Sequence, residues 1–210
     1  MYNSIFRRII FPAMELYKGT SIQKYLNFLN KSQWWSHEEL ENLQNKKLRA
    51  LIDHAYSNIP YYRKLFDAEG LKPDEIRNVN DLEKIPFLTK SIIRENFREL
   101  QNPSPSTEKS ISNISSGSTG IPLQYNITLD GLSIDWATLY RGWSWAGYSL
   151  GDKRATIAGS ALLHPTNENK IRYYFERNLP LSSLKMTDDI IKSYINKINR
   201  YKPEFIRGYP

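Results

Sequence analysis

The sequence contains no cysteine at all, and only three histidines, at His37, His54 and His164. A chain without thiols has no disulfide framework, no thiolate nucleophile and no cysteine-ligated metal. The three imidazoles are far apart and show no metal-ligand spacing, so no metal site is read from them. A thiol-free chain fits a cytosolic compartment. Long apolar runs are missing too. The stretch from Ile5 to Leu16 is broken by Arg7, Arg8, Pro12 and Glu15, too short to span a bilayer and without a small-residue cleavage site. It reads as a helix packed on the protein body, with peripheral membrane contact as the minor alternative. There is also no Lys/Arg tract interleaved with stacking aromatics, which argues against a nucleic-acid groove.

What is present is the composition of a globular protein: 40% hydrophobic and 24% charged residues in 210, with 14 Tyr, 8 Phe and 5 Trp. Large rings bury much area each, so a sizeable core is within reach. The net charge of +7 suits an anionic partner, but the cations are scattered and read first as a solvated face.

Up to about residue 100 the pattern is helical. Ser36 and Glu39 form the S-x-x-E of a capping box, and Leu40, Leu43, Leu48, Leu51, Ile52 and Ala55 recur on one helical face. Pro60 ends that helix and opens another, which stops at Gly70. Asp81 and Thr89 are expected to cap two short helices. Residues 102–107 (NPSPST) have loop composition and place a boundary there, giving a helical region 1–100 and an α/β region 101–210. Beyond it, strands are expected at 111–115, 123–128, 154–158 and 204–207, with helices at 129–147 and 188–201. That alternation indicates an open α/β sheet. Trp136 and Trp143 are expected in the core; Trp34 and Trp35 are expected to pack rather than to form an exposed platform.

One loop carries chemistry: Ser115, Ser116, Gly117, Ser118, Thr119, Gly120, Ile121 and Pro122. Glycines let backbone N–H groups converge, hydroxyls add donors, and such a concavity can wrap phosphate oxygens. It lacks the spacing and lysine of a Walker A loop and the third glycine of a dinucleotide fingerprint. A polar hairpin turn would have the same composition. His164, which follows the strand at 154–158, and Arg207 and Tyr209, at the end of the last strand, are candidates for a substrate pocket, since ligands of α/β sheets bind beyond the carboxyl ends of strands.

The 115–122 loop resembles the phosphate-binding motif of the adenylate-forming (AMP-binding) superfamily. The segment LRALIDHAYSNIPYY from Leu48 to Tyr62 and the segment IPFLTK from Ile85 to Lys90 are similar to the phenylacetate-CoA ligase branch, and all three blocks stand in that branch's order and spacing. The aromatic-rich body looks most like the CapK-type, coenzyme F390 synthetase-like members, named for capsular polysaccharide biosynthesis. The resemblance implies a helical N-terminal region followed by the first part of the large domain, an incomplete mixed sheet flanked by helices. It implies ATP-dependent activation of a small carboxylate as an acyl-adenylate, with magnesium as cofactor and a thiol such as coenzyme A as acceptor. By motif match Ser115, Ser116, Gly117, Ser118, Thr119 and Gly120 would hold the ATP phosphates. Leu123 stands where many acyl-CoA synthetases have lysine. Against the family's length Pro210 falls inside the large domain, before the adenine- and metal-binding segments and the catalytic lysine. The chain is therefore expected to be truncated, poorly soluble and not an adenylating enzyme by itself; a non-catalytic role in polysaccharide synthesis is the alternative.

Overall fold

In a computed structural model of the chain, residues 1–103, 109–115, 122–159 and 167–208 are described. They fold into two compact units, Met1–Leu29 with Ser133–Pro210, and Asn30–Leu132. The sequence boundary near residue 100 lies within the second of these.

The second unit is built on two helices, α4 (His37–Asn58) and α5 (Pro60–Glu69). Ser36 caps α4 as its spacing requires: its hydroxyl accepts from the Glu39 N–H at 3.2 Å, and the Glu39 carboxylate accepts from the Ser36 N–H at 2.8 Å. Ile59, extended before Pro60, separates the two helices. Gly70 closes α5 at φ 66°, a left-handed conformation open to glycine without cost. Ile52, Phe66 and Ile76 form a buried core, flanked by Leu48, Tyr56, Leu71 and Ile85. The expected leucine stripe is only partly inward, because Leu40 and Leu51 are exposed. Trp34 is likewise 82% exposed, contrary to the packing expected of it. Asp81 does not begin its turn. Asn78 caps the 3-10 turn Val79–Lys84, and Asp81 stands three residues in, accepting from the N–H groups of Arg77 and Asn78 at 2.9 and 3.2 Å. Thr89 does cap α6 (Lys90–Glu95). The unit ends in an antiparallel ribbon of β1 (Ser110–Ile114) and β2 (Gln124–Thr128), registered Ser110 to Thr128 and Ile114 to Gln124.

The first unit opens with α1 (Tyr2–Ile5), a π-helical turn Phe6–Ile10, and α2 (Phe11–Lys18), followed by α3 (Ile22–Ser32). Phe6 and Phe11 turn inward onto Tyr140, Tyr148 and Leu150, and Trp136, Trp143 and Phe205 pack around them. Tyr140 and Trp136 belong to α7 (Leu129–Trp145). Three parallel strands follow: β3 (Arg154–Ala158), β4 (Asn178–Ser182) and β5 (Phe205–Gly208), in the order β4-β3-β5. Their connections contain α8 (Asn167–Phe175) and α9 (Asp188–Tyr201). Parallel and antiparallel pairing thus occur in separate sheets of a mixed α/β fold. The tight approach behind β3 needs Gly151: it has φ 98°, and a Cβ there would lie 3.1 Å from the Asn3 Cα and 3.2 Å from the Phe6 Cβ.

Candidate functional site

The ribbon positions the serine/glycine loop from both ends. The Ser115 N–H donates to the Leu123 carbonyl at 2.8 Å, and the Leu123 N–H donates to the Ser115 hydroxyl at 2.8 Å. Below them the Gln124 side-chain amide donates to the Ser112 hydroxyl at 3.1 Å. The loop is therefore clamped at its neck by a closed hydrogen-bonded ring. Both strands are largely solvent-exposed, so register here depends on these polar pairs and on the ladder rather than on a buried face. The Ser115 oxygen accepts from a backbone donor at the neck, and its own O–H is a separate donor. Ser116, Gly117, Ser118, Thr119 and Gly120 lie outside the described residues.

The first unit contains the other candidate region. From β3 the chain passes through α8 to β4 on one side, then through α9 to β5 on the other side of β3. The winding reverses at the β3/β5 pair, and the crevice beyond the carboxyl ends of two such strands is where open α/β sheets bind ligands. The strands end there at Ala158 and Gly208. His164 and Tyr209 follow them in sequence and lie outside the described residues. At the other side of the sheet the Ser182 N–H donates to the Tyr194 hydroxyl at 3.1 Å, fastening α9 to the end of β4.

Arg207 is described. Its guanidinium lies 4.7 Å from the ring centre of Trp143, and both line a cleft of about 230 Å³ with Tyr148, Arg154, Phe205 and Gly208. A second guanidinium, that of Arg154, lies 5.8 Å from the same ring. Arg154 is 5% exposed and donates to the Tyr148 hydroxyl and to the Glu176 carboxylate, both at 2.5 Å. Burial, the largest single influence, would lower its pKa, but the charge of Glu176, the Tyr140 and Tyr148 phenols and the hydrogen bond to Glu176 together outweigh it and hold it above the ordinary arginine value. Burial pushes the Tyr140 and Tyr148 phenols upward, so both stay neutral at physiological pH. The Nε of Arg154 is buried and has no hydrogen-bond partner among the described residues. Sequence reading pointed to Arg207 but missed Arg154, Glu176 and Tyr148; a charged residue opening an otherwise uncharged strand was the available signal.

Among the described residues no three His, Cys, Asp or Glu side chains come together as a metal site, and no helix is long and apolar enough to cross a membrane.

No family model matches the chain. It is 31% identical over 176 residues to the phenylacetate-coenzyme A ligase of Aromatoleum evansii, covering 83% of this chain and 39% of that protein. The Escherichia coli K12 phenylacetate-coenzyme A ligase is 32% identical over 174 residues, with 82% and 39% covered. Protein CapK of Staphylococcus aureus is 24% identical over 176 residues, with 81% and 38% covered. The chain thus spans about two-fifths of the length of the curated relatives it matches. Among solved structures, 2-hydroxyisobutyryl-CoA ligase in the postadenylation state with 2-HIB-AMP superimposes with a TM-score of 0.58 at 18% identity, over 81% of this chain and 36% of that one. The same ligase with 2-HIB-AMP and CoA, in its thioesterification state, gives a TM-score of 0.54 at 17% identity. By sequence the chain is a homologue of phenylacetate-coenzyme A ligases and, more distantly, of protein CapK, and its fold matches the N-terminal part of an adenylate-forming enzyme.

Proposed function

We propose that the protein carrying this chain activates a small carboxylate with ATP, releasing pyrophosphate and forming an acyl-adenylate that a thiol, such as that of coenzyme A, then intercepts. The observation that carries this reading is the 31% identity to a phenylacetate-coenzyme A ligase over 83% of the chain. In this reading residues 101–210 begin the nucleotide-binding domain. Ser116, Gly117, Ser118, Thr119 and Gly120 cradle the ATP phosphates, and the Ser115–Leu123 neck holds their ends in place. Hydroxyl and backbone N–H donors are the right chemistry for phosphate oxygens, and donors aimed where charge develops lower the barrier most. The described residues supply no magnesium ligand set, so no step is assigned to that ion here.

The carboxylate substrate is assigned to the carboxyl edge of the β3/β5 pair, with Arg207 on β5, and with His164 and Tyr209, which follow β3 and β5 in sequence, as further candidates. The Arg207 cleft reaches back to the amino ends of β3 and β5, where Trp143 and Phe205 offer apolar walls and the Arg154 Nε, without a hydrogen-bond partner among the described residues, supports an acceptor-bearing guest. The match to protein CapK supports a link to capsular polysaccharide synthesis, and a reaction that consumes ATP and coenzyme A fits a cytoplasmic site. The test is carboxylate-dependent pyrophosphate release by the whole protein. Thr119→Ala should slow it about a hundredfold, the usual effect of removing a donor from a site of developing charge. Release that is unchanged in Thr119→Ala would remove the loop from the mechanism.

A further inference from the structure

The N-terminal helix is apolar on two faces. Phe6 and Phe11 are buried in the core, yet Ile5, Ile9 and Leu16 follow one another at helical spacing on the outside, with Ile9 64% and Leu16 87% exposed. A helix apolar all round is ordinarily covered. Beside it runs an apolar cleft of about 390 Å³, formed by Ile9, Ala13, Met14 and Tyr17 with Ile171 and Phe175 of α8. Ile171 is 60% exposed, and Tyr17 and Tyr174 present their rings outward at 80% and 79%. This is more than scattered surface hydrophobicity.

The charge around the patch selects its occupant. Arg7 and Arg8 are exposed on the same helix, and Lys18 and Arg172 line the cleft. Glu15 is the only acidic residue among the first 29, and it is buried, its carboxylate accepting from the Gln23 N–H at 3.1 Å. Glu176, on the α8 side, is buried against Arg154. Both of these carboxylates are turned inward, and among the described side chains what faces outward is apolar surface with Arg7, Arg8, Lys18 and Arg172 around it, and with tyrosines of the kind that sit at a membrane–water interface.

We propose that this face docks on an anionic lipid surface, with the helix Tyr2–Lys18 lying in the interface plane. Ile9, Leu16 and Ile171 would enter the acyl boundary, while Arg7, Arg8 and Lys18 meet the headgroups.

The experiment is co-sedimentation of the full protein with phosphatidylcholine vesicles and with phosphatidylcholine/phosphatidylglycerol vesicles, at low and physiological salt. The expected result is pelleting with the anionic vesicles only, weakened by salt. Arg7→Glu with Arg8→Glu should lower the partition coefficient by about 25-fold or more, at roughly fivefold per cation. Ile9→Asn with Leu16→Asn, which leaves the charge unchanged, should also abolish binding. Both pairs of positions are exposed, so thermal melting should match the parent; should the asparagine pair melt differently, the arginine pair decides alone. Equal pelleting with both vesicle types, no pelleting with either, or indifference to the arginine pair overturns the proposal. So does a dimer in sedimentation velocity that the asparagine pair dissociates, since a second copy would then be what covers the patch.

Discussion

Replacing Arg154 by alanine should cost about 3–5 kcal/mol, because it strands the Glu176 carboxylate and the Tyr148 hydroxyl in a site where water cannot replace the guanidinium. Arg154→Met combined with Glu176→Met should cost much less, since a buried pair removed whole leaves no uncompensated charge. Denaturant unfolding of the two variants separates these outcomes. Equal losses would mean that shape rather than charge holds this region together. Gly151→Ala, assayed in the same way, should cost about 2 kcal/mol or more: the backbone is left-handed there, and the new methyl meets Asn3 and Phe6. Neither residue could have been ranked from sequence alone. Arg154 opens a strand that is otherwise uncharged, but its partner is 22 positions away and its aromatic neighbours lie on other elements. Arg207 was readable for a different reason: it stands at the end of a strand, where position alone suggests a site.

At the scale of the element, local signals were legible and non-local ones were not. The Ser36–Glu39 box, the Pro60 restart and the Gly70 stop each involve residues within four positions of one another, and each holds in the structure. Ser36→Ala should therefore cost about 1 kcal/mol of stability, as is usual for the loss of a cap. Asp81 shows the limit of this reading. Its chemistry was right for a cap, but Asn78 three residues earlier takes the position, and Asp81 instead accepts from two N–H groups and from Lys84 at 2.7 Å. That hydrogen bond to Lys84, with those from the backbone, lowers its pKa to about 2. A depressed carboxylate stabilises the fold above its unfolded value and loses that contribution as pH falls toward 2. Asp81→Asn should flatten the acid limb of the stability profile below about pH 4, as followed by circular dichroism. β4 went unread because Pro180 interrupts it, and a proline argues against a central strand. Among the described strands β4 is at the edge of its sheet, a place where a missing N–H is tolerated.

For the whole molecule, the order β4-β3-β5 and the two separate cores follow from contacts that no single-sequence periodicity contains. The α/β class was legible from alternating elements, and so was the loop at 115–122, because its residue types are unusual. The α8 helix was missed, since its Asn- and Tyr-rich sequence shows little helical pattern, and with it the neighbour of the N-terminal helix was missed as well. Trp34 was placed inside because large rings usually are, yet it is exposed, and nothing among the described residues explains why.

The most direct test of the account is carboxylate-dependent exchange of labelled pyrophosphate into ATP by the whole protein, measured with and without Thr119→Ala. Exchange that requires both a carboxylate and Thr119 is the predicted result, with a loss of about a hundredfold in the variant. No exchange with any of a broad panel of aryl and short-chain carboxylates, from a protein that melts cooperatively, would contradict it.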